Sequence, residues 1–133
     1  MRYMLDTNIC IYVMKNHPET VVRRFKEHAI GDICISTVTY HELMYGVEKS
    51  NNPQRNRTAL AMFLSPIEIL EYDELAAEDS GRIRAELKKR GTPIGPLDTM
   101  IAGHARSKGY TLVTNNTREF ERVEGLELEN WTE

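Results

Sequence analysis

Short apolar segments alternate with helical segments along the chain, and this alternation restricts the fold more than any other feature of the sequence. Each apolar segment is three or four residues long and largely aliphatic, as buried strands are. The segments are Tyr3-Met4-Leu5, Ile33-Cys34-Ile35, Ile67-Glu68-Ile69-Leu70, Thr111-Leu112-Val113 and Leu126-Glu127-Leu128. Strands that alternate with helices are typical of α/β proteins, whose mostly parallel sheet is covered by helices on both faces. We therefore predict one α/β domain over residues 1–133.

The segments between the strands carry helix signals. Two sets of residues at helical spacing are Tyr40, Leu43, Met44 and Val47, and Ala76, Ser80, Ile83 and Leu87. Each set predicts a stripe on a helix that faces a core. Asp73 is placed to cap the second of these helices, and Gly91 and Pro93 end it. Pro96 then occupies the first position of the next helix, where proline is favoured.

The composition excludes several classes of protein. Hydrophobic residues make up 41% and charged residues 28% of the chain, which is typical of a folded domain and not of a disordered one. No apolar run approaches the ~20 residues of a membrane span, and the strand pattern at the N-terminus leaves no room for a signal peptide. We therefore expect a cytoplasmic protein in which Cys10 and Cys34 are buried and reduced. The net charge of −3 disfavours nonspecific coating of nucleic acid but allows a local basic patch.

An acidic residue, Asp6, stands at the carboxyl end of the first predicted strand and is followed by Thr7 and Asn8. Open α/β sheets bind their ligands beyond the carboxyl ends of the strands, which makes Asp6 a candidate site residue. The same three residues are also good N-caps for the helix that follows. Both interpretations stay open at this stage.

A second acidic residue, Glu42, lies in the helix after the second strand. It falls away from the apolar stripe of that helix, so it is either a site residue or a solvated charge. A third interpretation is a capping box, because Thr39-Tyr40-His41-Glu42 has the required spacing.

A third acidic residue, Asp98, falls in the first turn of the helix that begins at Gly95-Pro96. A carboxylate there interacts favourably with the helix dipole, by ~0.3–1 kcal/mol. The preceding Gly91-Thr92-Pro93-Ile94-Gly95-Pro96 is a conformationally restricted segment that fixes where Asp98 points, which is more than a helix cap requires.

A polar segment, Thr114-Asn115-Asn116-Thr117-Arg118-Glu119-Phe120, follows the fourth strand. Within it Asn116 offers a neutral oxygen and Glu119 a fourth carboxylate. The alternative is a polar turn that Phe120 anchors in the core.

Four carboxylate segments that meet at one edge of a sheet would repel one another unless a cation neutralises them. Mg²⁺ and Mn²⁺ prefer carboxylate and water oxygens. One or two such ions lower the pKa of water and stabilise charge on a phosphodiester. The arrangement therefore favours nuclease or phosphatase chemistry that needs no histidine or serine nucleophile.

At the level of motifs, the sequence resembles the PIN-domain ribonucleases, and among them most of all the VapC toxins of bacterial VapBC toxin–antitoxin modules. The motifs occur in the family's order and the similarity runs nearly end to end. They are Met4-Leu5-Asp6-Thr7-Asn8, Glu42-Leu43-Met44-Tyr45-Gly46, Gly91-Thr92-Pro93-Ile94-Gly95-Pro96-Leu97-Asp98, Thr114-Asn115-Asn116 and Glu119-Phe120.

The resemblance implies a PIN-like parallel sheet in the order 3-2-1-4-5 and an Mg²⁺- or Mn²⁺-dependent endoribonuclease. It makes Asp6, Glu42 and Asp98 catalytic and metal-binding carboxylates. Many relatives have an aspartate where this chain has Asn116, so Glu119 becomes the expected fourth acid. Residues expected to orient the acids or their waters are Thr7, Asn8, Thr114 and Asn116.

The resemblance also implies partners. They are a VapB-type antitoxin, a second toxin chain in a homodimer, operator DNA reached only through the antitoxin, and an RNA substrate. The RNA is expected to be tRNA, in particular initiator tRNA cut in its anticodon stem-loop. Basic residues that would contact the RNA or the antitoxin are Arg82, Arg84, Lys88, Lys89 and Arg90, although a solvated helix face explains them equally well.

Two other functions fit the same residues. One is a catalytically silent domain that binds an antitoxin and helps it to hold operator DNA. The other is a phosphatase-type domain in which Asp6 is the nucleophile, although such domains normally carry a second acid in the same loop and this chain has Thr7-Asn8 there.

Overall fold

The computed structural model describes residues 2–133 and contains a five-stranded sheet in which every pairing is parallel. The strand order is β3-β2-β1-β4-β5, which confirms the predicted order and fold class. The strands are β1 Tyr3–Leu5, β2 Ile33–Ser36, β3 Glu68–Leu70, β4 Thr111–Val113 and β5 Leu128–Glu129. The fifth strand lies later than its predicted span, residues 126–128.

In the part of the chain that the structure describes, seven α-helices connect or flank the strands. They are α1 Thr7–Lys15, α2 Glu19–Lys26, α3 Thr37–Glu48, α4 Pro53–Leu64, α5 Glu74–Lys89, α6 Pro96–Lys108 and α7 Thr117–Phe120. As predicted, the Asp73 carboxylate caps α5 by accepting a hydrogen bond from the Ala76 N–H, and Pro96 opens α6. Within residues 2–133, no helix is both long and apolar enough to span a membrane.

The sheet separates two apolar cores, because its strands bury side chains on both faces. In β1, Met4 belongs to one core and Leu5 to the other, and both are fully buried. The Leu5 side packs against α1, α3 and α4 and includes Trp131 near the C-terminus. The Met4 side packs against α5 and α6. Helices therefore cover both faces, as the sequence predicts.

Helix α3 begins earlier than a capping box at Thr39 and Glu42 would require. Ser36 is its N-cap, since the Ser36 hydroxyl accepts a hydrogen bond from the Val38 N–H at 3.0 Å. The capping box between Thr39 and Glu42 is therefore wrong, because the helix begins two residues before Thr39. The buried stripe also shifts: Val38, Leu43 and Val47 are buried, whereas Tyr40 is 38% exposed.

The strand order places β1 beside β4, with Leu5 paired to Val113. The residues that follow these two strands therefore emerge side by side at the carboxyl edge of the sheet. Because β2 is the other neighbour of β1, the start of α3 lies at the same edge. This topology brings Asp6, Thr114 and α3 together.

Candidate active site at the carboxyl edge of the sheet

Asp6 caps α1 and is also buried at the carboxyl edge of the sheet, so its role as a cap does not exclude a role in a site. One carboxylate oxygen, Oδ1, accepts the Thr7 N–H at 2.8 Å, and the other, Oδ2, accepts the Thr114 hydroxyl at 2.8 Å. The side chain is 6% exposed. Burial raises the pKa of Asp6, the two hydrogen bonds oppose that rise, and the charge of nearby Glu42 adds to it.

Glu42 reaches the same edge from the second turn of α3. Its Oε1 atom accepts a hydrogen bond from the Thr7 hydroxyl at 2.9 Å. Thr7 therefore contacts two of the predicted acids, Asp6 through its backbone and Glu42 through its side chain. Glu42 is thus tied to the β1 end of the sheet and is not merely a solvated charge.

The approach to Asp98 is fixed by backbone geometry. Gly91 adopts φ 71°, and the chain leaves α5 through hydrogen bonds from the Gly91 N–H to the Lys88 carbonyl and from the Thr92 N–H to the Leu87 carbonyl. At the start of α6, both the amide and the hydroxyl of Thr99 donate to the Gly95 carbonyl at 2.9 Å. Asp98 therefore projects from a well-defined first turn, as its sequence context predicts.

Asp98 has the most perturbed carboxyl group of the site. Its pKa is raised to about 7, first by burial and then by the negative charges of Asp6, Glu119 and Glu42. A hydrogen bond between Asp98 and Glu119 contributes in the same direction. All four predicted acids therefore influence one another electrostatically.

Asn116 and Glu119 have different roles in this arrangement. The Asn116 side-chain amide donates to Glu119 Oε2 at 3.0 Å, while the Asn116 backbone N–H donates to the Thr114 hydroxyl at 3.0 Å. Asn116 thereby links Glu119 to the Thr114–Asp6 pair. Its amide holds the fourth carboxylate in place, which is consistent with Glu119 as the fourth acid.

The four acids have no positively charged partner among the residues that the structure describes. Within residues 2–133, no Lys, Arg or His side chain forms an ion pair with Asp6, Glu42, Asp98 or Glu119. In the same residues, no three His, Cys, Asp or Glu side chains already form a group that could hold a metal ion. The donor chemistry nevertheless fits hydrated Mg²⁺, which retains several waters and takes one or two carboxylates together with substrate phosphate.

Two asparagines near the acids, Asn8 and Asn115, have surroundings that the sequence analysis did not predict. Asn8 is exposed, and within residues 2–133 no hydrogen bond joins its side chain to the four acids. Asn115, which was not singled out, donates to the Tyr12 hydroxyl at 3.1 Å and has a buried side-chain oxygen without a partner. Its position two residues after β4, within the motif Thr114-Asn115-Asn116, was the signal available in the sequence.

The predicted basic patch on α5 divides into two groups. Arg82 pairs with Glu78 and Asp79, and Arg90 pairs with Glu86. Arg84, Lys88 and Lys89 are exposed and form no ion pair within the described residues 2–133. Three of the five predicted basic side chains are therefore available to a ligand without breaking an ion pair within the described residues.

A cavity of about 550 Å³ borders the acid cluster on the side of α1, α3 and α4. Glu42 forms part of its wall, and Lys15 and Arg55 are also among its lining residues. Its apolar lining residues are Ile11, Met14, Leu43, Val47, Ala59 and Leu60. We call this feature the α1/α3/α4 cavity.

Comparison with known proteins identifies both sequence and structural relatives. Residues 3–126 match the PIN domain family. The tRNA(fMet)-specific endonuclease VapC of Shigella flexneri is 55% identical over 132 residues, with 99% of each chain covered. The VapC chain in the DNA-bound VapBC structure from Salmonella typhimurium has a TM-score of 0.92 at 51% identity, with 98% of each chain covered. A chain of VapBC2 from Rickettsia felis, bound to a promoter DNA fragment, also has a TM-score of 0.92, at 42% identity, with 98% of this chain and 99% of that chain covered.

Proposed function

The chain belongs to the PIN-domain family, and on that premise we propose that it is a VapC-type toxin of a toxin–antitoxin module. Its activity is the hydrolysis of RNA phosphodiester bonds, with Mg²⁺ or Mn²⁺ as the cofactor. Relatives that match over nearly their whole length are named endonucleases or ribonucleases, which supports the reaction class.

One observation carries the proposal: at the carboxyl edge of the sheet, three acids from other segments act on Asp98, and no ion pair within residues 2–133 supplies a cation to any of the four. Asp98 is affected by Asp6, Glu119 and Glu42 together. Such an arrangement costs folding free energy and offers no packing advantage, so it is best explained by an external cation and a reaction that uses it.

The residues around the acids have separate tasks. Thr114 and Thr7 hold the two Asp6 oxygens, and Thr7 also holds Glu42. Asn116 holds Glu119, and the Gly95 carbonyl anchors the turn that presents Asp98. A divalent cation at these acids would supply charge neutralisation at the phosphodiester and would lower the pKa of the attacking water.

We propose tRNA as the substrate, and initiator tRNA cut in its anticodon stem-loop as the specific target. The Shigella and Salmonella relatives are named tRNA(fMet)-specific endonucleases, which supports this choice. Exposed loops of structured RNA present unstacked bases and an accessible backbone. Because tRNA is a cytoplasmic substrate, we expect the protein to act in the cytoplasm.

We propose that a VapB-type antitoxin neutralises the protein by occupying the α1/α3/α4 cavity. A partner seated there would contact Glu42 directly and would cover the acid cluster from one side. Gly46 also lines this cavity. A Cβ at that position would meet nothing within 4 Å, so the cavity is open at this point of α3. The VapBC complexes among the structural relatives support such a partner, and we expect toxin homodimers that reach operator DNA through the antitoxin.

The decisive experiment is cleavage of purified tRNA by the purified protein, with mapping of the new RNA ends. We expect cleavage with Mg²⁺ or Mn²⁺, none with EDTA, and recovery when the metal is restored. Asp6→Asn is the matched inactive variant, because asparagine keeps the size of the side chain. Cleavage that persists in EDTA, or in Asp6→Asn, would contradict the metal-dependent mechanism.

The two competing functions give different results in the same setting. A silent antitoxin-binding domain predicts no cleavage with either metal and no effect on growth when the chain is expressed alone. A phosphatase-type domain predicts a stable beryllofluoride adduct at Asp6. The structure disfavours that adduct, because both Asp6 oxygens accept hydrogen bonds and the side chain is 6% exposed.

A further inference from the structure

A second cavity lies between α5 and α6 and beneath the segment that leads to Asp98. Its volume is about 640 Å³, within the range of pockets that bind small ligands. The lining is mostly apolar, with Ile94 and Met100 among its residues, and Arg84 and Lys88 contribute positive charge. We call this feature the α5/α6 cavity. It shares no lining residue with the α1/α3/α4 cavity.

Gly81 is a lining residue that helix packing does not explain. Glycine inside a helix costs ~0.5–1 kcal/mol relative to alanine, so an interior glycine needs a reason. Gly103 of α6 has one, since a Cβ there would lie 2.2 Å from the Ser80 hydroxyl oxygen. A Cβ at Gly81 would meet nothing within 4 Å. Gly81 therefore keeps the α5/α6 cavity open.

The charges at this cavity are available to a ligand. Arg84 and Lys88 line it and form no ion pair within residues 2–133, whereas Arg82 and Arg90 on the same helix are paired with acids. An apolar surface beside two free cations matches a nucleotide, whose base has an apolar face and whose phosphate is anionic.

The position of the cavity relative to Asp98 favours RNA over other anionic ligands. Pro96 and Thr99, which flank Asp98 in the first turn of α6, both line the cavity. The cavity therefore adjoins the helix turn that carries Asp98, although none of the four acids lines it. We infer from this proximity that a nucleotide held here belongs to the same strand as the phosphodiester at the acids.

We propose that the α5/α6 cavity binds one unstacked nucleotide of the RNA substrate, with its base on the apolar lining and its phosphate at Arg84 and Lys88. This subsite rests on the proposed ribonuclease function and adds a determinant of substrate choice outside the acid cluster. Loop nucleotides of structured RNA are the class that can be extruded in this way.

The first test introduces a larger side chain into the cavity and removes no existing contact. Gly81→Leu places a side chain into it, and Gly81→Ala is the matched control, because both replace glycine with a better helix former. We expect Gly81→Leu to lower kcat/KM for tRNA by about tenfold, mainly through KM, as loss of one stacked base would. Gly81→Ala should stay within about twofold, and neither variant should lower Tm. Ala77→Leu, at another exposed lining position, should repeat the effect.

The charge contribution is tested separately by Arg84→Ala combined with Lys88→Ala, with Lys89→Ala as the control. Lys89 is equally exposed but does not line the cavity. We expect the double variant to bind tRNA more weakly and to reduce the slope of log K against log salt by roughly 1–2, since two phosphate contacts are lost. Lys89→Ala should leave that slope nearly unchanged.

The outcomes separate this proposal from the function on which it rests. If the unmodified protein does not cleave RNA, the ribonuclease proposal fails. If it cleaves RNA and both Gly81→Leu and Ala77→Leu cleave equally well, only the nucleotide subsite is wrong. If these variants cleave RNA normally but no longer bind the antitoxin, the cavity binds a peptide segment of the antitoxin. That result would also overturn the nucleotide proposal.

Discussion

Two aspartates on neighbouring helices have opposite electrostatic surroundings. Asp79 of α5 receives two hydrogen bonds from Arg106 of α6, from Nε to Oδ2 at 2.9 Å and from Nη2 to Oδ1 at 2.8 Å. These bonds lower the pKa of Asp79. Burial and three other acids instead raise the pKa of Asp98 to about 7.

The difference separates a carboxylate whose charge is balanced within the fold from one that we propose serves the active site. The charge of Asp79 is balanced within the chain, and Arg106 also binds the Glu124 carbonyl, so the pair joins α5, α6 and the segment before β5. Within residues 2–133, no ion pair balances the charge of Asp98, and the neighbouring acids Asp6, Glu42 and Glu119 add further negative charge. A group that opposes folding in this way needs a partner from outside the chain.

The largest expected effect is on catalysis. Asp98→Asn should lower kcat/KM for tRNA by roughly 10²–10³-fold at saturating Mg²⁺, because it removes one of the carboxylates that would hold the metal ion against the phosphodiester. Asp79→Asn should stay within about threefold, since that carboxylate has no role at the acid cluster. Initial cleavage rates of both variants test this contrast. Equal losses would remove the distinction between the two aspartates.

A smaller effect should separate the two residues at the fourth position of the cluster. Glu119→Gln should lower kcat/KM by about 10–100-fold, because a charged group is lost. Asn116→Ala should cost only about 3–10-fold, since it loosens Glu119 without removing its charge. A metal titration of each variant gives the ranking. The reverse ranking would transfer the fourth role to Asn116.

The contribution of Asp79 to folding comes next in size. Asp79→Asn should lower the free energy of unfolding by about 1–2 kcal/mol, because it leaves the largely buried Arg106 guanidinium without its charged partner. The Asp79 and Arg106 side chains are only 13% and 21% exposed, so solvent does not fully compensate. Urea unfolding at pH 7 measures the loss. Arg82→Ala, which removes an exposed partner of Asp79, is the control and should cost less than about 0.5 kcal/mol.

The positions of the acids at the strand ends are easier to predict from the sequence than the ion pair between Asp79 and Arg106. The reason is physical. Strand periodicity and breaker residues are local signals, so the carboxyl ends of the strands and the acids beside them could be located. The contacts between Thr7 and Glu42 and between Asp79 and Arg106 span 35 and 27 residues and depend on how helices pack. No local pattern specifies such contacts.

Errors in the sequence prediction have the same origin. Ser36, Thr37 and Thr39 are all good N-cap residues, so local preference could not decide where α3 begins. The structure decides in favour of Ser36, whose hydroxyl oxygen also lies 2.8 Å from Nδ1 of the fully buried His104. That second contact comes from α6 and is invisible in the sequence near Ser36.

The last expected effect is similar in size to that of Asp79 and opposite in sign: in the absence of metal, the Asp98 carboxylate destabilises the fold. A carboxyl group with a raised pKa favours folding at low pH, and that contribution is lost as pH rises from about 4 toward about 7. In EDTA, Asp98→Asn should therefore unfold like the unmodified protein at pH 4 and be about 1–2 kcal/mol more stable at pH 8, after allowance for solvent screening.

Urea unfolding of Asp98→Asn and Asp79→Asn across this pH range tests the prediction. The lowered pKa of Asp79 means that its contribution is lost as pH falls, so Asp79→Asn should be least harmful in acid. The two variants thus deviate from the unmodified protein in opposite directions at pH 8 and converge on it at low pH. Saturating Mg²⁺ should cancel the advantage of Asp98→Asn, because only the unmodified site gains a counter-ion. An advantage that persists in Mg²⁺ would mean that the imbalance at Asp98 is not relieved by a metal.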